Sequence, residues 1–444
     1  MITDLEEKLD SFDAAQRREG LEALAALARQ GKIELPPPGR EVNMHCHTFF
    51  SYNSYGYSPS KFAWLARRRG LALAGIVDFD VLDGLEEFLP AGRLLGLKVC
   101  GGIETRVFVP EFADKELTSP GEPGITYHMG VGFPTAKLSD SQEKFQKSLK
   151  DTAQQRNREL MERVNEYLAP VKLNYEQDVL VLTPAGNPTE RHLCVAYAHK
   201  ASQLFKNRQM LAEFWTQKLK EQIEDADLPE GRDFLNLLRA KTMKRGGVGY
   251  VQPEAGAFVK LANMNQFVLN AGGIPTHTWL NGFSAGEKEM EKFLQVTMST
   301  GVAALNIIPD RNYTADLKDD KLKNLYAVVE LARKLNLPIV AGTEMNSPQQ
   351  KFVDDFGTKE LTPLRDIFLQ GAHIVYAHSV LQRQGDLGYC SNWAQENFSN
   401  TAKKNAFFEE LGQLHKADRE NVWREWGKDM EPAQILDKVK GQQG

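Results

Sequence analysis

A chain of 444 residues with 42% hydrophobic and 25% charged side chains can bury a large core and form more than one structural unit. Its net charge of −5 gives no global field for nucleic acid or an anionic membrane, and no run approaches the ~18 apolar residues of a membrane span. Four scattered cysteines, Cys46, Cys100, Cys194 and Cys390, show no CxxC spacing and argue against a disulfide scaffold; the acidic, helix-like start has no signal-peptide pattern, so a cytoplasmic protein with reduced thiols is expected.

Residues 1–40 read as a helical extension closed by Pro36-Pro37-Pro38-Gly39. From 41 onward, short apolar strands alternate with helices. The expected order is strand 42–46, helix 60–69, strand 73–77, helix 84–95, strand 98–103 and a strand-like run 127–133. After a break come helix 257–271, strand 274–277, helix 285–300, strand 303–308, helix 320–336 and strand 338–343. Such alternation implies a parallel sheet, and about seven units most simply close into a TIM-like barrel. An open doubly wound sheet is the other architecture, although no Gly-rich phosphate loop follows any strand.

The barrel pattern occupies 41–138 and 257–350. The interruption, 139–256, is rich in Lys, Glu, Gln and Arg, with Phe145, Leu149, Leu160, Val164 and Leu168 at helical spacing, and reads as a helical insertion with solvated faces. Residues 351–444 read as a mostly helical extension, with His373–His378 as a candidate further strand.

The chemistry is carried by histidine and carboxylate residues at strand ends. His45 and His47 close the first strand at i and i+2, which puts both imidazoles on one face. Asp78 and Asp80, Glu104, His128, His277 and Glu344 fall at or just past later strand ends. In a parallel barrel those ends converge on one rim, and this donor set suits Zn, Mn or Fe. Each residue also has a plainer reading. Asp78 or Asp80 can cap the next helix. His128 and His277 can be satisfied core histidines. Glu104, after Gly101-Gly102-Ile103, needs a partner in its apolar setting. Their coincidence at successive strand ends carries the inference.

On these residues the chain resembles the PHP (polymerase and histidinol phosphatase) superfamily of metal-dependent phosphoesterases. His45-x-His47 matches the first motif of that family. Ile76-Val77-Asp78-Phe79-Asp80 is similar to the second, Gly102-Ile103-Glu104 to the third, and His128-Met129-Gly130 to its His-x-Leu-Gly. Gly272-Gly273-Ile274-Pro275-Thr276-His277 resembles a later histidine segment, and Gly342-Thr343-Glu344-Met345-Asn346 stands where the family carries Gly-Ser-Asp-x-His. Within the insertion, Arg156, Arg158 and Thr189-Glu190-Arg191-His192-Leu193 resemble the helical insert of the nucleotide-hydrolysing branch.

The resemblance implies an α/β fold, a distorted (β/α)7 TIM-like barrel of PHP type with the helical insertion and helical N- and C-terminal extensions. It implies metal ligands at His45, His47, Asp78, Glu104, His128, His277, Glu344 and Asn346. Phe79 replaces the family's histidine, Glu344 and Asn346 replace its final Asp and His, and the Asp expected after the first motif is missing from Ser51-Tyr52-Asn53-Ser54-Tyr55-Gly56. One or two divalent ions (Zn, Mn or Fe) are therefore expected in place of three. The implied activity is hydrolysis of a small phosphorylated metabolite or nucleotide, with hydroxide from an ion-bound water. Arg191, His192 and Arg311 are the candidate catalytic residues for gripping phosphate, against plainer roles as surface ion pairs or, for His192, as a helix cap. Two other readings stand beside this one. The first is a C–N hydrolase of amidohydrolase type, which would carry a strand-end Lys not found here. The second is a catalytically weakened PHP-scaffold protein that binds or regulates.

Overall fold

The computed structural model describes residues 2–224, 228, 231–252, 256–313, 318–418 and 426–441. Seven strands form one sheet in chain order: β1 (Val42–Cys46), β2 (Leu73–Phe79), β3 (Lys98–Phe108), β4 (Ile125–Val131), β5 (Ile274–Trp279), β6 (Ala304–Ile307) and β7 (Ile339–Ala341). The last strand returns to the first. Glu344 N donates to His45 O at 2.7 Å and His47 N donates to Glu344 O at 2.8 Å, beside a bridge between Cys46 and Glu344. The result is a nearly closed, distorted TIM-like barrel with helical extensions.

Local chemistry sets the helix ends around it. The helix Pro59–Arg68 starts where Ser58 accepts from Lys61 N at 2.9 Å and Pro59 supplies a preset φ. The helix Leu85–Leu95 stops at Gly96, whose φ of 64° suits glycine. The helix Arg365–Gly385 packs on β7 so closely that a Cβ at Gly371 would lie 1.9 Å from Ile339 O.

Two expectations are corrected. The sheet is not wholly parallel: β4 runs antiparallel to both β3 and β5, while the other neighbouring pairs are parallel. The link from β3 to β4 holds only the short turn Pro110–Phe112 and no crossover helix, and the chain doubles back. His373–His378 is not a strand; it lies inside the helix Arg365–Gly385, which is buried continuously from Gly371 to Leu381. A helix covered on all sides lacks the polar stripe that reveals a helical period.

The chain divides into two compact units, one of residues 1–48, 53–145 and 258–444, the other of 49–52 and 146–257. The first has the barrel core, with Val42, Met44, Val77, Met129, Leu305 and Val340 in one cluster with Val375 and Leu381. The second has its own core around Val164, Leu193, Tyr197, Trp215 and Phe234. Cys46, Cys100, Cys194 and Cys390 are free thiols. No helix among the described residues is long and apolar enough to cross a membrane.

Candidate metal centre

Strand parity decides which side chains enter the barrel. Asn306 on β6 reaches across to His45 on β1, with Asn306 Oδ1 3.2 Å from His45 Nδ1, so both point inward. Thr278 pairs with Asn306 in the β5–β6 ladder and shares its face. Neighbours along a strand alternate, so His277 points outward. Its ring stands 4.6 Å from that of Phe293, on the helix Met290–Ser299. His128 pairs with His277 across β4–β5 and also points outward, toward Asn265 of the helix Leu261–Asn270. Burial lowers His128 to about 4 and, with His128 beside it, His277 to about 3, so both are neutral imidazoles between sheet and helices. The structure does not bring these two expected ligands into the barrel. For β4 the reason is face: His128 pairs with Thr105, the neighbour of the inward Glu104, and so points the other way. For β5 it is a one-residue difference in face.

Inside the barrel, His45, His47 and Glu104 bring their ligand atoms within 4.8 Å of one another, and no other such group occurs among the described residues. All three side chains are buried. Glu104 Oε2 lies 3.1 Å from His47 Nε2 and 3.4 Å from His45 Nε2. Neither Glu104 oxygen and not His45 Nε2 is in hydrogen-bond geometry. Acceptors gathered without donors in a dry interior are costly unless a cation sits between them. Burial would raise the Glu104 carboxyl, but the His45 and His47 imidazoles outweigh it and hold it down to about 2. Burial would likewise lower His45; Glu104 reverses that and raises it. The same residues fit a divalent ion, which would balance the Glu104 charge in place of a protonated His45.

The remaining expected residues surround this group or lie elsewhere. Glu344 follows β7 with φ 62°, and Met345 after it has φ 54°. Two successive non-glycine residues in the left-handed region mark a strained turn held by its surroundings. Glu344 Oε2 accepts from Arg311 Nη2 at 2.6 Å and from Gln350 Nε2 at 3.1 Å, so this carboxylate is engaged beside the group. Arg311 is 43% exposed, and its charge is stabilised first by Glu344 and more weakly by Tyr127 and Glu104. Asp78 faces away from Phe79's side of β2 and accepts from Thr48 N (2.8 Å) and Thr48 Oγ1 (2.6 Å). Asn346 is partly buried on the loop after Met345. Asp80, at φ 62°, accepts from Thr105 Oγ1, and burial raises its carboxyl to about 6.

Arg191 and His192 belong to the second unit. His192 is buried and its Nδ1 accepts from Thr189 N at 3.0 Å, completing a capping box at the start of Glu190–Leu204. That is the cap reading. Arg191 Nη1 donates to Asn236 Oδ1 at 2.5 Å.

Several residues that line or support the group escaped the sequence reading. Asn306, the one polar residue of β6, fixes His45. Thr278 brings an inward hydroxyl with no hydrogen bond. Gln350 helps hold Glu344. A lone polar residue in an otherwise apolar strand was the available signal for Asn306.

No protein-family model matches the chain, and no curated protein matches it. Among solved structures it is similar to an amidohydrolase from Chromobacterium violaceum, with bound sulfate and no metal, at 15% identity and a TM-score of 0.49, covering 71% of this chain and 91% of that one. It is also similar to a candidate metal-dependent phosphoesterase from Bifidobacterium adolescentis at 16% identity and a TM-score of 0.46, covering 75% and 98% of the two chains. Neither likeness bears on activity; the site has to be judged on its own residues.

Proposed function

We propose that this protein is a metal-dependent hydrolase of phosphoric esters, of PHP type, working with one divalent ion held by His45, His47 and Glu104. The observation that supports this most is the buried convergence of those three ligand atoms within 4.8 Å, from β1, the residue just past it, and β3 of one barrel. Two imidazoles and a carboxylate suit Zn, Mn or Fe, and three protein ligands leave a position for water or substrate. When bound, the ion would supply Lewis acidity and a more acidic water.

The chain's own residues supply the rest. Glu104 carries the negative charge that holds the ion, and both imidazoles bind as neutral ligands. Arg311, backed by Glu344 and partly exposed, has N–H donors left over for anionic oxygens. A planar guanidinium suits a phosphoryl group because it can bind two oxygens at once. Phe79 and Tyr127, with ring centroids 6.3 Å apart, place an aromatic pair beside His47.

The test pairs elemental analysis of the purified protein with hydrolysis of an aryl phosphate, phosphorylated metabolites and a set of amides. Bound Zn, Mn or Fe with phosphate release is expected. Protein that takes up none of these metals on reconstitution would overturn the centre. Metal-loaded protein that cleaves amides and spares phosphate esters would overturn the substrate class. Bound metal without turnover of any kind would favour a binding role on the same scaffold.

A further inference from the structure

We infer that Asn306 is a positioning residue that holds the proton of His45 on Nδ1 and so turns the Nε2 lone pair toward Glu104, an inference that rests on the metal-centre reading above. The geometry is a relay of three groups. Asn306 Nδ2 donates to Val340 O at 3.0 Å. A main-chain carbonyl only accepts, so the amide nitrogen of Asn306 must face it. That leaves Asn306 Oδ1 toward His45 Nδ1, 3.2 Å away. An amide oxygen also only accepts, so the contact exists only when His45 Nδ1 carries hydrogen. Neutral His45 then has its lone pair on Nε2, the atom 3.4 Å from Glu104 Oε2 and without a hydrogen bond of its own.

Asn306 is fully buried, as is His45, so water cannot replace either contact. Val340 lies on β7 and Asn306 on β6, and the two residues pair in the ladder, so the sheet itself sets the orientation of the amide. The parallel strands thus determine which ring nitrogen of a residue on β1 is free for a ligand. Hydrogen bonds of this kind, from the far nitrogen of a metal-binding imidazole, orient the ring and raise its basicity.

Asn306→Leu removes the acceptor with a side chain of similar size, and Asn306→Asp keeps one. The full-length protein is titrated with zinc against a chromophoric chelator, and the His45 ring nitrogens are followed by nitrogen-15 NMR. Asn306→Leu should lose about 10- to 100-fold in zinc affinity, and Asn306→Asp should stay near wild type. In wild type His45 Nδ1 should carry hydrogen, whether or not Nε2 does; in neutral His45 of Asn306→Leu the proton should move to Nε2, where Glu104 can accept it. Equal zinc affinity in wild type and Asn306→Leu, or equal losses in both variants, would overturn the inference. So would a wild-type His45 with hydrogen on Nε2 alone. The wild-type NMR measurement needs neither zinc nor a folded variant: if wild type binds no zinc the metal-centre reading fails, and hydrogen on or absent from His45 Nδ1 still decides the role of Asn306.

Discussion

The Phe79 ring lies 4.3 Å from the ring of His47, with 30° between their planes. Phe79 pairs with Glu104 in the β2–β3 ladder, so its side chain enters the barrel beside the three ligand atoms. A residue at this place can reach the centre. As phenylalanine it offers no donor, and it packs on one ligand where a histidine would add a fourth.

Phe79→His is therefore expected to strengthen metal binding. A third imidazole on the same face would raise the number of protein ligands from three to four, and a gain of about tenfold in affinity corresponds to roughly 1.4 kcal/mol. Metal titration of the two proteins side by side checks this. Weaker binding in the variant would mean that Phe79 supports the geometry of His47 and does not occupy a ligand position. Glu104→Gln is the converse. It keeps the size of the side chain and removes its charge, and metal content should fall sharply while the fold is retained.

Arg311 leads to a kinetic prediction. Its ion pair with Glu344 engages one end of the guanidinium and leaves donors to spare. Arg311→Ala should raise KM for a phosphate ester by about 10- to 100-fold, the range for losing a charge-assisted hydrogen bond of roughly 1.5–3 kcal/mol, with metal content unchanged. Arg311→Lys should recover part of the loss, because a point charge replaces a planar fork. If KM is unmoved in Arg311→Ala, the guanidinium serves only to neutralise Glu344.

The inner half of the site was legible in the chain because His45 and His47 obey the period of a strand and Glu104 ends an apolar run. Seven strands were legible because each has a short apolar run; β3 continues past its apolar run to Phe108, beyond the expected end at 103. Orientation was harder to read. Nothing in Tyr127-His128-Met129 tells that β4 runs backward; that follows from the lack of a crossover helix after β3, a feature of the connection. His277 and Thr278 differ by one position, and only the partner strand decides which enters the barrel. Asn306 contributes through a hydrogen bond to a residue more than 250 positions away, which no local pattern records.

Gly371 tests the packing of the barrel against the helix Arg365–Gly385. A Cβ there would stand 1.9 Å from Ile339 O and 2.7 Å from Ile339 C, both backbone atoms that cannot rotate aside. Gly371→Ala favours the helix intrinsically, by about 1 kcal/mol. Steric displacement of the helix from β7 should outweigh that gain, since overpacking of this kind costs about 1–3 kcal/mol. Urea denaturation should show a lower midpoint for the variant. A higher midpoint would mean that the helix shifts without strain.

Asp354 gives the molecule a pH dependence separate from the metal centre. It is 1% exposed, and neither carboxylate oxygen has a well-formed hydrogen bond, with only weak backbone contacts from Asp310 and its own N–H. Burial first, and then the neighbouring Asp310, raise its carboxyl from 3.8 to about 8, with Lys351 only partly opposing. In the unfolded chain the group returns to about 3.9. Between about pH 4 and pH 8 the folded protein therefore holds a proton that the unfolded chain has lost. Stability from this group is complete below the unfolded value and is lost as pH rises through the folded one, with a slope of at most about 1.4 kcal/mol per pH unit. Asn at this position has a similar shape and nothing to ionise. Asp354→Asn should thus differ little from wild type in urea midpoint at pH 4 and become progressively more stable relative to it toward pH 8. Urea titrations at pH 4, 6 and 8 measure the difference directly. A constant offset across the three would show that Asp354 is ionised in the folded protein, and that Lys351 neutralises it more fully than its burial and the Asp310 charge allow.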